Sequence, residues 1–205
     1  GLPTWFTIRA SRKGYIGRKK EIDLLIAMNP ETARDDVMAL GAGAAVVYDQ
    51  PLALAGLRDD LVFYAVPFDK LVTGVCPEPK LRKLVRNMIY TGVAAHLLGI
   101  EIEEVRKALF KQFGERKKRA AEMNWQAVAA GKCYAEENLP KADGLKVERM
   151  DANQGRLIID GNTAAALGCV FAGATVLTWY PITPSSSLAE AMIDFLGRLR
   201  KDPET

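Results

Sequence analysis

Thr178-Trp179-Tyr180-Pro181-Ile182-Thr183-Pro184-Ser185-Ser186-Ser187-Leu188-Ala189-Glu190 is the stretch around which the rest of the chain is organised. It reads as the end of a buried strand, a sharp turn and the start of a helix. Val176, Leu177, Trp179 and Tyr180 are of the β-branched, aliphatic and aromatic types that strands favour. Pro181 has no N–H for a ladder and ends the run. Thr183 is then a natural N-cap, with Pro184 at the first helical position. Leu188, Ala191, Met192, Phe195, Leu196 and Leu199 recur at helical intervals and predict one apolar face. Such a start leaves backbone N–H groups around Ser185 to Ser187 unpaired, at the positive end of the helix dipole and beside several hydroxyls. That corner suits a carboxylate or a phosphate. The plainer alternative is a well-capped helix in an ordinary α/β unit.

Upstream of this corner, Arg156 to Asp160 reads as another strand. Asn162 or Thr163 then starts a helix of small residues, Ala164 to Ala174, ending near Gly173. Small residues permit close approach, and Gly161 and Gly168 are expected to share that packing role. Residues 156–205 thus form strand, helix, strand, helix, which is too little to bury a proper core. Residues 139–155 lose all periodicity and hold proline, glycine and charge, so they read as a linker.

Before the linker the pattern is regular from residue 21. Ile22 to Met28, Ala44 to Tyr48 and Leu61 to Val66 are short apolar strands. Asn29-Pro-Glu-Thr32 caps a helix to about Leu40, and Pro67-Phe-Asp-Lys70 opens another. Short apolar strands alternating with helices imply a mostly parallel sheet covered on both faces, a Rossmann-like arrangement. No Gly-x-Gly-x-x-Gly accompanies it, which counts against a nicotinamide enzyme. Residues 79–138 are almost wholly helical. One long helix closes at Gly99, a second at Gly114, and a third runs from about Glu115 to Leu139, where Gly131 is expected to interrupt it. Residues 1–20 are awkward: Trp5 to Ile8 reads as a strand, but Arg9 to Lys20 is basic and aperiodic, so a strained or disordered N-terminus is expected.

The chain has 205 residues, an apolar fraction of 49% and a charged fraction of 26%, ordinary for a globular protein. No apolar run approaches a membrane span and no signal-peptide pattern opens the chain, so a cytoplasmic location is expected. Cys76, Cys133 and Cys169 are scattered and read as buried or incidental thiols in a reducing compartment. They cannot form an iron–sulfur or zinc site from this chain alone, and no metal ligands are assigned. His96, the single histidine, sits on an apolar helix and reads as a core or partly exposed residue. The net charge of +3 does not call for nucleic acid; residues 151–205 hold four basic and six acidic groups, leaving the earlier part basic.

Tyr180-Pro-Ile-Thr-Pro-Ser-Ser186, with Asp160-Gly-Asn-Thr-Ala-Ala-Ala-Leu-Gly168 upstream, resembles the α subunit of 2-oxoacid:ferredoxin oxidoreductases, enzymes of EC 1.2.7 type. Residues 1–138 resemble the γ region of those enzymes, placed ahead of the α region in one chain. The resemblance implies a γ-type α/β domain with a helical extension over 1–138, a linker over 139–155, and the start of a thiamine-diphosphate-binding, pyrimidine-side domain over 156–205. It also implies that the chain is cut at both ends, before Gly1 and after Thr205. The implied activity is oxidative decarboxylation of a 2-oxoacid to acyl-CoA with electrons passed to ferredoxin; 2-oxoglutarate is the expected substrate, because γ and α regions are fused. Thr183 aligns with the family threonine that contacts the substrate, and Tyr180, Pro181, Ile182, Ser185 and Ser186 would shape the wall beside it. No catalytic residue is assigned within the segment: the family's activating glutamate lies after residue 205, and Glu190 does not match it. Mg2+, the diphosphate half of thiamine diphosphate and a [4Fe-4S] cluster are implied on a β subunit, with CoA as co-substrate and an (αβ)2 assembly. The fragment alone is expected to be inactive. The basic helix faces, from Lys80 to Arg119, read first as solvated surface and second as a surface for ferredoxin or the phosphates of CoA. A reading of another class is a non-catalytic α/β module that binds a phosphate or assembles with a partner.

Overall fold

The computed structural model describes residues 3–15, 17–152, 154–201 and 204. The expectations for the extreme N-terminus and for the tail after Arg200 fall partly outside them. The chain divides into two compact units, Gly1–Arg149 and Met150–Thr205.

The first unit is built on three parallel strands in the order β1 (Leu24–Ala27), β2 (Ala45–Asp49), β3 (Val62–Val66). Leu24 pairs with Ala45, and Val47 with Tyr64. Every residue of β2 is buried, as the central strand of a sheet covered on both faces must be. Its alternation divides the core. Ala45 and Val47 face a cluster with Tyr64, Val66, Phe68, Ile89, Val93 and Leu97. Val46 and Tyr48 face the opposite cluster with Ala33, Val37, Leu54 and Leu61. α1 (Ala33–Met38) covers the second face, with Asn29 Oδ1 accepting from the Glu31 N–H at 3.0 Å before it. α2 (Phe68–Val75) and the helical layer belong to the first face.

That layer consists of α3 (Pro79–Leu98), α4 (Ile102–Phe113) and α5 (Lys118–Asn138). α3 starts on proline and closes at Gly99, whose φ of +69° is left-handed; Ile100 N–H donates to Ala95 O at 2.8 Å across that end. α5 is continuous, contrary to the interruption expected at Gly131. The glycine is there for proximity: a Cβ on Gly131 would lie 2.2 Å from Ile89 O, and one on Gly92 would lie 2.0 Å from Val128 O. Each helix thus presents its glycine to the other's backbone, and the helical hydrogen bonds run through both positions.

One further expectation is corrected. No strand forms over Trp5 to Ile8; the Trp5 indole instead donates to Asp36 Oδ1 at 2.9 Å. Within the stretch read as a linker over 139–155, residues 141–149 are strapped to the rest of the first unit. The Tyr64 hydroxyl donates to the Asp143 carboxylate and accepts from the Ala142 N–H at 2.9 Å. Val147 N–H donates to Leu98 O at 2.8 Å, and Arg149 grips Glu101 through two bonds of 2.9 and 2.7 Å. The Asp143 side chain is 4% exposed. Burial alone would raise its pKa, but bonds from Tyr64, Lys141 and the Leu145 N–H outweigh it and hold the carboxyl below its ordinary value.

The second unit contains two helices, α6 (Gly161–Phe171) and α7 (Ser185–Leu199), packed through Ala166, Val170 and Met192 with Leu188, Phe195 and Leu196 around them. The strands expected over 156–160 and 176–180 do not form. Both stretches run free of any ladder, and Ile158 is 96% exposed. A strand exists only where a neighbour completes its hydrogen bonds, and these stretches find none within the unit. Gly161 and Gly168 do not mediate packing either: a Cβ at either would meet nothing within 4 Å.

Candidate functional site

The corner between 180 and 187 lies at the start of α7. Tyr180, Pro181, Ile182, Thr183, Pro184, Ser185 and Ser187 are exposed, with Ser186 half-buried, so within its unit the corner is open. The turn closes on Tyr180, whose carbonyl accepts from the Ile182 N–H at 2.8 Å and from the Ser185 hydroxyl at 3.1 Å. The peptide between Thr183 and Pro184 is cis.

The capping expected here is corrected in two respects. Pro184, not Thr183, occupies the N-cap position, α7 begins at Ser185, and no side chain caps it. Two of the amides expected to be unpaired are also engaged: Ser185 and Ser186 N–H both donate to Ile182 O, at 2.8 and 3.3 Å. The turn's own carbonyl does the work assigned to a threonine cap. The Thr183 side chain is thereby left out of the capping, on an exposed surface.

Asn162 is the residue whose importance the sequence concealed. Its side-chain amide donates to Pro184 O at 2.8 Å and to Ser187 Oγ at 2.7 Å, tying the start of α6 to the start of α7. It is placed by Asp160, the true N-cap of α6. Asp160 Oδ1 accepts from the Thr163 N–H at 2.9 Å and Oδ2 from the Thr163 hydroxyl at 2.6 Å. The Thr163 hydroxyl and amide hold the Asp160 carboxyl below its ordinary pKa. The signal was present in the Gly-Asn-Thr-Ala motif, but only as a turn; nothing local says that its asparagine reaches a proline carbonyl 22 residues away.

Another polar cluster lies in the first unit at the carboxyl end of β2. Asp49 accepts from the Phe68 N–H at 3.3 Å and faces Arg86 at 3.5 Å, and Arg86 also reaches Asp69 at 2.9 Å. Burial raises the Asp49 pKa despite Arg86. Beside them Tyr90 is stacked on Phe68 with ring centres 3.7 Å apart; its hydroxyl is buried without a hydrogen-bond partner, and burial pushes its pKa up to about 12. The cluster fastens α3 to the sheet. Among the described residues no group of three or more His, Cys, Asp or Glu side chains could hold a metal ion, Cys76 is buried, and Cys133 and Cys169 are exposed free thiols. Among the same residues no helix is long and apolar enough to cross a membrane.

Residues 1–134 match the family model described as pyruvate ferredoxin/flavodoxin oxidoreductase. The chain belongs to that family. Within this oxidoreductase family it is 27% identical over 193 residues to the α subunit of 2-oxoacid:ferredoxin oxidoreductase 1 from Sulfurisphaera tokodaii, covering 90% of this chain and 29% of that protein. The α subunit of 2-oxoacid:ferredoxin oxidoreductase 2 from Aeropyrum pernix is 32% identical over 94 residues, 46% of this chain and 14% of that protein. Among solved structures, 2-oxoglutarate:ferredoxin oxidoreductase from Magnetococcus marinus, with 2-oxoglutarate, coenzyme A and succinyl-CoA bound, superposes with a TM-score of 0.73 at 25% identity. That match covers 88% of this chain and 31% of that one, so the chain spans less than a third of each of these relatives. The family model ends before the 180–187 corner, whereas a match over 90% of the chain extends into the second unit.

Proposed function

We propose that this chain is a segment of the α subunit of a 2-oxoacid:ferredoxin oxidoreductase. The reaction is the oxidative decarboxylation of a 2-oxoacid, with 2-oxoglutarate as substrate, to an acyl-CoA with electrons passed to ferredoxin. The observation that carries this reading is the open corner at the start of α7, where a threonine hydroxyl stands free of capping duty in a chain of this family.

The residues fit one side of such a site. Tyr180 and Ile182 expose apolar surface, and Thr183 offers a hydroxyl that can donate to a substrate carboxylate. Because the Ser185 and Ser186 amides already serve Ile182, anion binding at this corner falls on the Thr183 hydroxyl more than on the backbone. The cluster of Asn162, Pro184 and Ser187 holds the turn in place behind it. Thiamine diphosphate, when bound, supplies the nucleophilic carbon that attacks the 2-oxo carbon and the electron sink for decarboxylation. Tyr180, Pro181, Ile182, Ser185 and Ser186 would shape the wall of the site on its pyrimidine side. The diphosphate, its Mg2+ and the [4Fe-4S] cluster belong to a β subunit, in an (αβ)2 assembly located in the cytoplasm. The γ-type part is residues 1–138, and residues 156–205 begin the thiamine-diphosphate domain.

Kinetics of the complete α subunit assembled with its β subunit test the reading. Thr183→Ala is expected to lower kcat/KM for 2-oxoglutarate by about ten- to hundredfold, corresponding to ~1.5 to 3 kcal/mol for one charge-assisted contact. Unchanged kinetics would remove Thr183 from the site. Equal kcat/KM for pyruvate and 2-oxoglutarate would overturn the substrate assignment alone.

A further inference from the structure

The helical layer of the first unit carries a groove that the corner at α7 does not use. It has a volume of about 630 Å³ and runs between α3 from Leu81 to Thr91, α4 from Val105 to Phe113 and the start of α5 from Ala120 to Asn124. Its floor is apolar, with Met88 from α3, Val105 and Phe113 from α4 and Met123 from α5. Leu84 stands among these residues and is 68% exposed, which extends the apolar floor to the open surface. The lining runs from Leu81 to Thr91 along α3, about 15 Å or three turns.

The surrounding surface is strongly cationic. Residues 79–91 and 108–124 together hold nine Lys and Arg against two Glu. Lys80, Lys83, Lys111, Arg116, Lys117 and Arg119 are exposed, and among the described residues none has an acidic group within 4.0 Å. Beside Val105, by contrast, Arg106 and Lys107 are neutralised by Glu103 and Glu104. Lys80, Lys83, Lys111 and Arg119 are each next in sequence to a residue that lines the groove, and this excess of positive charge favours an anionic occupant. The trough selects one with an apolar face as well. A nucleic-acid strand would meet the cations but leave the aliphatic and thioether floor uncovered.

We propose that this groove docks an acidic amphipathic helix of a partner polypeptide. A three-turn helix laying apolar residues at i, i+3, i+4 and i+7 along the floor brings its flanking Asp and Glu to the lysines on either side. Leu84 becomes a central buried contact, and Asn87 and Gln112, both at the groove, meet the edge of the incoming helix. The site does not depend on the reading of the Thr183 corner.

The test uses the intact chain and a fluorescein-labelled synthetic helix with leucines at those spacings and glutamates on both flanks. A scrambled peptide of equal composition and a single-stranded oligonucleotide serve as competitors. Fluorescence anisotropy is expected to show saturable binding of the helix. Leu84→Glu should weaken it at least about tenfold at both low and high salt. The combined change Lys80→Glu, Lys83→Glu and Lys111→Glu should weaken it about tenfold at ~0.1 M salt and much less at ~1 M, where surface charges are screened. All four side chains are exposed, so unchanged far-UV circular dichroism keeps the comparison one of binding. Absence of helix binding, equal binding of the scrambled peptide, tighter binding of the oligonucleotide or indifference to Leu84→Glu each overturns the proposal.

Discussion

Asn162 Nδ2 lies 2.7 Å from Ser187 Oγ, so the first turn of α6 and the first turn of α7 share one hydrogen bond across the second unit. The same amide also reaches Pro184 O, and the two bonds fix where the turn before α7 can sit. Asn162→Ala removes both. The expected loss is about 1 kcal/mol of stability, since both bonds are at the surface. In the assembled enzyme, kcat/KM should fall further than that loss alone explains. Urea unfolding and steady-state kinetics on the same variant check the two halves of this expectation.

Glycine substitutions separate packing from flexibility. Gly92→Ala drives a Cβ to 2.0 Å from Val128 O, and Gly131→Ala one to 2.2 Å from Ile89 O. The obstacles are backbone atoms that cannot rotate away, so α3 and α5 must part. Each change should cost about 3 kcal/mol. Gly74 in α2 has an ordinary φ, and a Cβ there would meet nothing within 4 Å, so Gly74→Ala should stabilise by about 0.5 to 1 kcal/mol. Chemical denaturation midpoints of the three variants decide the matter.

The strap over residues 141–149 should respond to acid. Asp143 has a folded pKa below its ordinary value, so its stabilising contribution is present above the unfolded pKa and is lost as pH falls through the folded one. Hydrogen-exchange protection of the Ala142, Leu145 and Val147 amides, corrected for intrinsic rates, is expected to be constant from neutral pH to about 5. It should then decline below about 4. Asp143→Asn should show lowered protection throughout and lack the acid step.

Tyr90→Phe tests a buried hydroxyl that has no hydrogen-bond partner. Removing it relieves a desolvation cost and preserves the stack on Phe68, whose ring centre lies 3.7 Å away. The variant should be as stable as the parent or more stable by up to about 1 kcal/mol. A loss of more than that would mean that the phenol oxygen interacts with Arg86 strongly enough to matter.

The first unit was largely legible because its signals are local. The runs containing Leu24–Ala27, Ala45–Asp49 and Val62–Val66 are apolar on both faces, and Gly99 ends α3 where a left-handed residue is needed. Gly131 was misread because a glycine within a helix looks like a breaker from the sequence, while only the neighbouring helix shows that it is a point of contact. The runs at 156–160 and 176–180 have strand composition, but pairing is a property of two segments and composition belongs to one. At the corner, the turn into a helix was legible, whereas the cap was not: the Ile182 carbonyl accepts from the Ser185 and Ser186 amides that were expected to stand unpaired. Asn162 was hidden for the same reason, since its partners lie 22 and 25 residues along the chain.

The run from Thr175 to Tyr180 joins no strand ladder, and Tyr180 is 77% exposed, which has a practical consequence. Six residues rich in β-formers, with no proline and no charge, are a seed for aggregation when no second strand lies alongside. A recombinant piece starting at Met150 should precipitate or pair with itself, while one ending at Arg149 keeps its strap and both faces of its sheet covered. Proteolytic nicking near residue 150 would therefore release a stable body and a sticky remnant.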